Sequence, residues 1–274
     1  MTDNGIKIND VMTWVHEEDI LLIKCHKNDR VYSMRMAVIS DIHGNLEAFK
    51  QVLMDIGKSN IDNTICLGDI IGYGPEPEQV VVMIKDYNIP TVMGNHELAV
   101  IDQNYLSLFN PLARKSLLKT IELLSEETIR FISGLEPFLI RYDCRFVHGF
   151  PPDSASMYLF QVSEDGLLLT FKQMKERICF LGHTHRLEII DFNGQIVTHA
   201  PLTSSIISLE RNHQYIINIG SVGQPRDGDS CAKYVIWDSL NDTIEAKFIS
   251  YDIVSVIDKI IAADLPIEHA VRLL

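Results

Sequence analysis

The chain has 274 residues, 46% of them hydrophobic and 22% charged, with a formal net charge of −13 at pH 7. That is length enough for a substantial core in one large or two modest domains. The acidic balance argues against a protein that grips a nucleic-acid backbone through a Lys/Arg field, and no apolar run nears the ~18 residues of a membrane span.

The opening MTDNGIKIND has no basic region ahead of an apolar run, so no secretory signal is expected. Residues 1–34 read as an extension with one apolar run, Ile20–Cys25, and a small hairpin at Asn28-Asp29; residues 35–274 read as the main domain. MAVIS (36–40) is a buried strand, followed by a helix capped by Asn45 that runs to about Asp55 and stops at Gly57. NTICLG (63–68) is the next strand, Glu76–Tyr87 a helix, and PTVMG (90–94) a third strand. From Leu98 to Gly134 the chain is helical with a break near Asn110-Pro111. Strands follow at Phe138–Tyr142, Arg145–His148 and Arg177–Leu181, with a helix over Ser163–Lys175 between the last two. Leu187–Asp191 and Gln195–His199 flank Asn193-Gly194, a hairpin signal. Gln214–Ile219, Lys233–Asp238 and Thr243–Ser250 are further strands, and helices from Ile253 and after Pro266 end the chain. The pattern predicts an α/β fold with two sheets packed face to face and helices outside. Five scattered cysteines (Cys25, Cys66, Cys144, Cys179 and Cys231), with no C-x-x-C pair, read as small buried hydrophobes in a reducing cytoplasm.

The residues just past the strands carry the chemistry. AVIS ends in Asp41-Ile-His43, TICLG in Asp69, PTVMG in Asn95-His96-Glu97, RFV in His148-Gly149 and CFLG in His183-Thr-His185. Taken singly, Asp69 reads as a turn residue and His148 as a structural histidine. Together they place five of the ten histidines at strand ends, where open α/β sheets bind ligands. Alternate residues of an extended segment share a face, so each His or Asp pair two apart is expected to meet one centre. Imidazole, carboxylate and amide oxygen without thiolate suit Mn, Fe, Zn or Co. The set is too large for one tetrahedral ion, and a bridging carboxylate between two ions is the economical solution.

These motifs, D-x-H, G-D, G-N-H-E, H-G and G-H-T-H, resemble in order those of the calcineurin-like metallophosphoesterase superfamily, from Met36 to His185. Downstream, NIGSVGQPRDGD (218–229), Tyr251-Asp252 and Leu265-Pro266 resemble a small prokaryotic branch described as diadenosine-tetraphosphatase-related or as small phosphodiesterases. The resemblance implies two mixed β-sheets in a sandwich flanked by α-helices. It implies two divalent ions (Mn2+, Fe2+/Fe3+ or Zn2+), one held by Asp41, His43 and His185, the other by Asn95, His148 and His183, with Asp69 bridging. It further implies in-line attack of a metal-bridging hydroxide on a phosphodiester or small nucleotide, with His96 protonating the leaving group. Serine/threonine protein phosphatases of the superfamily carry an Asp and an Arg after the bridging Asp; here Gly72 and Tyr73 stand there. That lowers the alternative of a phosphoprotein phosphatase, and the surviving His96 lowers that of a non-catalytic scaffold. Arg226 is the replacement cation for substrate, and Tyr73 either stacks on a base or packs. Thr184 reads as a packing or orienting residue, not a catalyst, and Glu97 as a residue behind the ligands or at the helix start. The helical insert 98–134 and the loop Gly149–Phe160 are expected to wall the pocket. A soluble cytoplasmic enzyme without membrane or strong nucleic-acid partners is expected; homo-oligomerisation stays open.

Overall fold

The computed structural model describes residues 34–274, so the extension's apolar run, hairpin and Cys25 lie outside it. Strand β1 (Arg35–Ile39) is buried on both faces, which is why it reads as an unbroken apolar run. Met36 and Val38 enter one core cluster, while Ala37 and Ile39 enter another. Helix α1 (Leu46–Ile56) starts on Asn45, whose side chain accepts the Ala48 amide, and ends at Gly57. It lays Phe49 and Val52 on the face of β1 that carries Ala37 and Ile39. Strand β2 (Asn63–Cys66) pairs parallel to β1, and α2 (Pro77–Asp86) follows.

The third expected strand is reduced to two single bridges, Thr91 to Cys66 and Val92 to Glu136. The helical insert is broken twice: α3 (Asn95–Ile101) and a short 3-10 turn precede α4 (Pro111–Leu123), and α5 (Glu126–Ser133) starts on a Ser125 cap. Strands β3 (Phe138–Arg141), β4 (Cys144–Val147) and β5 (Ile178–Leu181) follow, with α6 (Glu164–Gln173) crossing from β4 to β5. Then come β6 (Leu187–Phe192), β7 (Val197–Pro201), β8 (Ile206–Ser208), β9 (Gln214–Ile219), β10 (Ala232–Asp238) and β11 (Thr243–Ile249). Helices α7 (Ile253–Ala262) and α8 (Ile267–Val271) close the chain.

One sheet has the order β2-β1-β10-β11-β8 and the other β3-β4-β5-β9-β6-β7. The five-stranded sheet joins the two ends of the chain, because β10 returns to pair beside β1 and β11 beside β10, whereas the six-stranded sheet is built wholly from Phe138–Ile219. The fold is therefore two mixed sheets in a sandwich with flanking helices. Residues of both sheets, among them Met36, Val38, Phe146, Phe180, Ile217 and Trp237, share the cluster between them. Within each sheet the site-bearing strands run parallel, β1 with β2 and β4 with β5 and β9. Their carboxyl ends therefore gather at one end of each sheet. Among the described residues no helix is long and apolar enough to cross a membrane.

Candidate metal centre

Asp41 and His43 follow β1, Asp69 follows β2, Asn95 and His96 open α3, His148 follows β4, and His183 and His185 follow β5. All eight are buried. His185 Nε2 lies 3.1 Å from Asp41 Oδ1 and 3.1 Å from His43 Nε2, forming one cluster. His148 Nε2 lies 3.2 Å from Asp69 Oδ2, 3.2 Å from His183 Nδ1 and 3.1 Å from Asn95 Oδ1, forming a second. Asp69 stands between them, with Oδ2 also 3.7 Å from His43 Nε2.

The rings' outer nitrogens decide what the inner ones can do. His43 Nδ1 faces the Ile71 carbonyl at 3.0 Å, His148 Nδ1 that of Leu67 at 2.9 Å, and His183 Nε2 that of Ser156 at 3.1 Å. His185 Nδ1 faces the Gln224 carbonyl. A carbonyl only accepts, so each outer nitrogen carries the proton and a neutral ring turns a lone pair inward. Each cluster is then a convergence of nitrogen lone pairs and acceptor oxygens, and the buried Asp41 Oδ1 has no hydrogen-bond partner among the described residues. Acceptors packed this way repel unless a proton or cation lies between them. The nitrogen and oxygen donors, with no thiolate, fit a borderline divalent ion.

Charge arrangement agrees. Burial opposes ionisation of Asp41 and Asp69, yet the histidines around them hold both carboxyls well below the usual range. Burial pushes His183 down to about 3 and His185 to about 4. His148 is the exception: burial pulls it down, but Asp69 lifts it to about 9.

His96 differs from the four other imidazoles. Its Nε2 is 3.8 Å from Asp69 Oδ2, close enough to share the His43–Asp69 neighbourhood. Its buried Nδ1 has no carbonyl behind it and no other partner among the described residues. The ring is held instead by edge contacts with Phe109 (5.0 Å between centroids) and Tyr73 (4.5 Å).

The turns that present these groups are not extended. Asp41, His43, Asp69, Tyr73, His183 and His185 all have φ between +49° and +65°. Asp41 and His43 converge through such a left-handed turn, not because alternate strand residues share a face, whereas His183 and His185 part to different clusters. This corrects the reason given by the sequence pattern.

Of the residues that support the ligands, Glu97 and Thr184 were read in the sequence and Asn218 and Ser221 were not. The Glu97 carboxylate accepts the amides of Asp69 (2.8 Å), Ile70 (2.9 Å), Ile71 (3.3 Å) and Gly94 (3.0 Å), which fastens the Asp69 turn to the start of α3. Burial and the Asp69 charge push its carboxyl up to about 7. Near the end of β9, Asn218 Nδ2 donates to the Gly182 carbonyl and to Thr184 Oγ1, and just after the strand Ser221 Oγ donates to the Asp41 carbonyl. The density of Gly and polar residues in NIGSVGQPRDGD was the available signal, since β9 ends beside β5.

A cavity of about 390 Å³ covers the centre; Asp69, His96, His183 and Arg226 line it, with Phe109 from the insert and Tyr158 from the loop after β4. Tyr73 is nine-tenths buried and packs against His43, His96 and His269, with one edge on the cavity. Tyr158 stacks on His183 at 3.8 Å. Phe150 is in the core behind β4, away from the cavity.

Comparison with known proteins gives a consistent picture. A model of the calcineurin-like phosphoesterase superfamily domain matches residues 34–242. The chain is 35% identical over 237 residues to an uncharacterized protein of Methanocaldococcus jannaschii, covering 84% of this chain and 93% of that one. A metallophosphoesterase from Sphaerobacter thermophilus superposes with a TM-score of 0.74 at 32% identity, over 88% of this chain and 98% of that one. A hypothetical protein from Pyrococcus horikoshii OT3 shares the fold with a TM-score of 0.67 at 18% identity, over 87% and 97% of the two chains.

Proposed function

The chain belongs to the calcineurin-like phosphoesterase superfamily and is a metal-dependent phosphoester hydrolase; within that class, we propose that it uses two divalent ions to cleave phosphodiesters or small nucleotides. The observation that carries the reading is the pair of lone-pair clusters sharing Asp69 beneath one cavity, with His96 at its edge. Asp41, His43 and His185 would hold one ion, and Asn95, His148 and His183 the other. Mn, Fe, Zn and Co all suit the donors. When bound, such ions acidify water and neutralise phosphoryl oxygens.

The chain's own residues do the rest. His96, as the imidazolium, delivers its Nε2 proton to the departing ester oxygen. Burial lowers its pKa well below the usual histidine value despite Asp69, so the protonated ring gives up that proton readily. Arg226 faces the same cavity and offers its guanidinium to a substrate phosphate, while Tyr73 serves chiefly as packing behind the ligands. A phosphodiester brings a leaving alkoxide that needs such a proton. Phosphoprotein chemistry is disfavoured because Gly72 and Tyr73 offer neither a carboxylate to orient His96 nor an arginine.

Parallel assays with bis-p-nitrophenyl phosphate, p-nitrophenyl phosphate and a phosphopeptide, across Mn2+, Fe2+, Zn2+ and Co2+, test the reading. Preference for the diester is expected, with a roughly 10²–10⁴-fold loss in His96→Ala while elemental analysis finds its metal retained. Metal-loaded protein that turns over none of the three would refute it.

A further inference from the structure

Beyond the cavity over the metal ligands lies a second one, of about 550 Å³, and the two share Tyr73, Tyr158 and Arg226 along their junction. The outer cavity is also lined by Arg272, which comes after α8. One atom joins the two guanidinium groups: Gln224 Oε1 accepts from Arg226 Nη2 at 2.9 Å and from Arg272 Nη1 at 3.2 Å. Gln224 is itself buried, and its backbone carbonyl orients His185. The arginine pair is thus built onto the frame of the metal centre.

Like charges held side by side normally have a counter-ion. The chain offers 37 acidic residues to 24 basic ones, yet among the described residues neither Arg226 nor Arg272 makes an ion pair, and the buried Arg226 Nε has no hydrogen-bond partner. Asp229 faces the outer cavity too, but it is engaged by the Cys231 amide at 2.8 Å and Lys233 at 3.4 Å. The same lysine, fully buried, also pairs with Asp227 at 2.9 Å and keeps the 226–231 loop in place. Arg272 follows α8 at the end of a segment where Val256 and Ile260 of α7, Ala270 of α8, and Leu265 and Leu273 beside them form a small core of their own. Burial and the neighbouring Arg226 charge both lower its pKa, as expected of a cation with no compensating anion. Two forked, preorganised and uncompensated guanidiniums at a cavity wall suit a phosphate group.

We propose that Arg226 and Arg272 form a second anion subsite. It holds a substrate phosphate lying beyond the scissile phosphorus, so the protein selects nucleotides and diesters that carry two phosphate groups. The inference rests on the phosphodiesterase reading above and adds the substrate class. Arg272 lies outside the 34–242 stretch matched by the family model, whereas Arg226 lies within it.

A matched pair of substrates tests it on the manganese-loaded protein: thymidine 5′-(p-nitrophenyl phosphate), and the same diester with an added 3′-phosphate. The two-phosphate substrate is expected to show at least tenfold higher kcat/KM, carried by KM, and Arg272→Ala to lose most of that ratio. Arg272→Lys is expected to restore part of it, since the charge returns without the fork. Calorimetric titration with thymidine 3′,5′-bisphosphate against thymidine 5′-monophosphate reads the same preference without turnover. Equal affinity for both nucleotides, or a preference that persists in Arg272→Ala, would overturn the proposal. So would Arg272-dependent binding of inorganic phosphate with no gain for the bisphosphate, which would mark a free-anion site. An Arg272-dependent preference in binding, with neither diester hydrolysed, would keep the subsite and refute the phosphodiesterase reading instead.

Discussion

His96 and Gly72 form a pair whose coupling no single motif displays. Gly72 has φ +86°, and a Cβ added there would stand 2.0 Å from His96 Nδ1 and 2.8 Å from its Cε1. The absent side chain is therefore the space the ring occupies, and a carboxylate at this position would displace the imidazole before it could orient it. Gly72→Ala is expected to push the ring off Phe109 and Tyr73 and to lower kcat at least tenfold, within the range of losing a positioned acid. The three atoms nearest the new methyl all belong to His96 and none to a proposed metal ligand, so metal content measured after gel filtration should match the parent. Undiminished kcat in Gly72→Ala would show that the ring position carries no catalytic weight. Glu97 illustrates the opposite arrangement, a side chain that reaches four amides and fixes the turn bearing Asp69.

Strand identity was legible because two-sided burial writes apolar runs into β1, β4 and β5, and because Asn45, Gly57 and Asn193-Gly194 punctuate the chain. The turns were not. Six site residues in left-handed conformation each cost on the order of 1 kcal/mol, and nothing in Asp41-Ile-His43 marks such a conformation. Only the tertiary bonds from Gly68, Asp69 and Ile70 carbonyls to the 41–44 amides explain it. Strand β8 was missed because three half-exposed residues on an edge show no alternation. The pairing of β10 with β1 has a local electrostatic lock: Arg35 and Asp238 are register partners, joined at 3.0 Å. Burial alone would raise the Asp238 carboxyl, but the Asn241 amide and side chain and the Arg35 guanidinium hold it below the usual 3.8. Its contribution is thus complete above pH 3.8 and is lost as pH falls through the depressed folded value. Asp238→Asn is expected to cost about 2 kcal/mol at neutral pH, read as a urea midpoint shift. That difference should shrink at pH 3, and one of equal size there would contradict the ionic origin of the lock.

The ligands are divided between the sheets. Asp41, His43, Asp69 and Asn95 follow strands or bridges of the β2-β1 edge, whereas His148, His183 and His185 follow β4 and β5. Each lone-pair cluster takes donors from both sides: His185 meets Asp41 and His43, and His148 and His183 meet Asp69 and Asn95. That much was foreseeable from the motifs, but which donors face each other across the sandwich depends on sheet order, which β10's return to β1 sets. A cation in either cluster would join the two sheets at this end, and it would replace repulsion with coordination. Ions that bind the folded chain but not the unfolded one stabilise it by mass action, about 2.7 kcal/mol for one site at a hundredfold excess over Kd. Chelation followed by calorimetric melting is therefore expected to lower Tm by several degrees, with Mn2+ or Zn2+ restoring it in a concentration-dependent way. Asp69→Asn keeps the shape of the shared residue but removes its charge from both clusters, so most of the metal-dependent rise should vanish in that variant. If chelated and metal-supplied proteins melt together, or if Asp69→Asn keeps the full rise, the centre does not bridge the two sheets through Asp69.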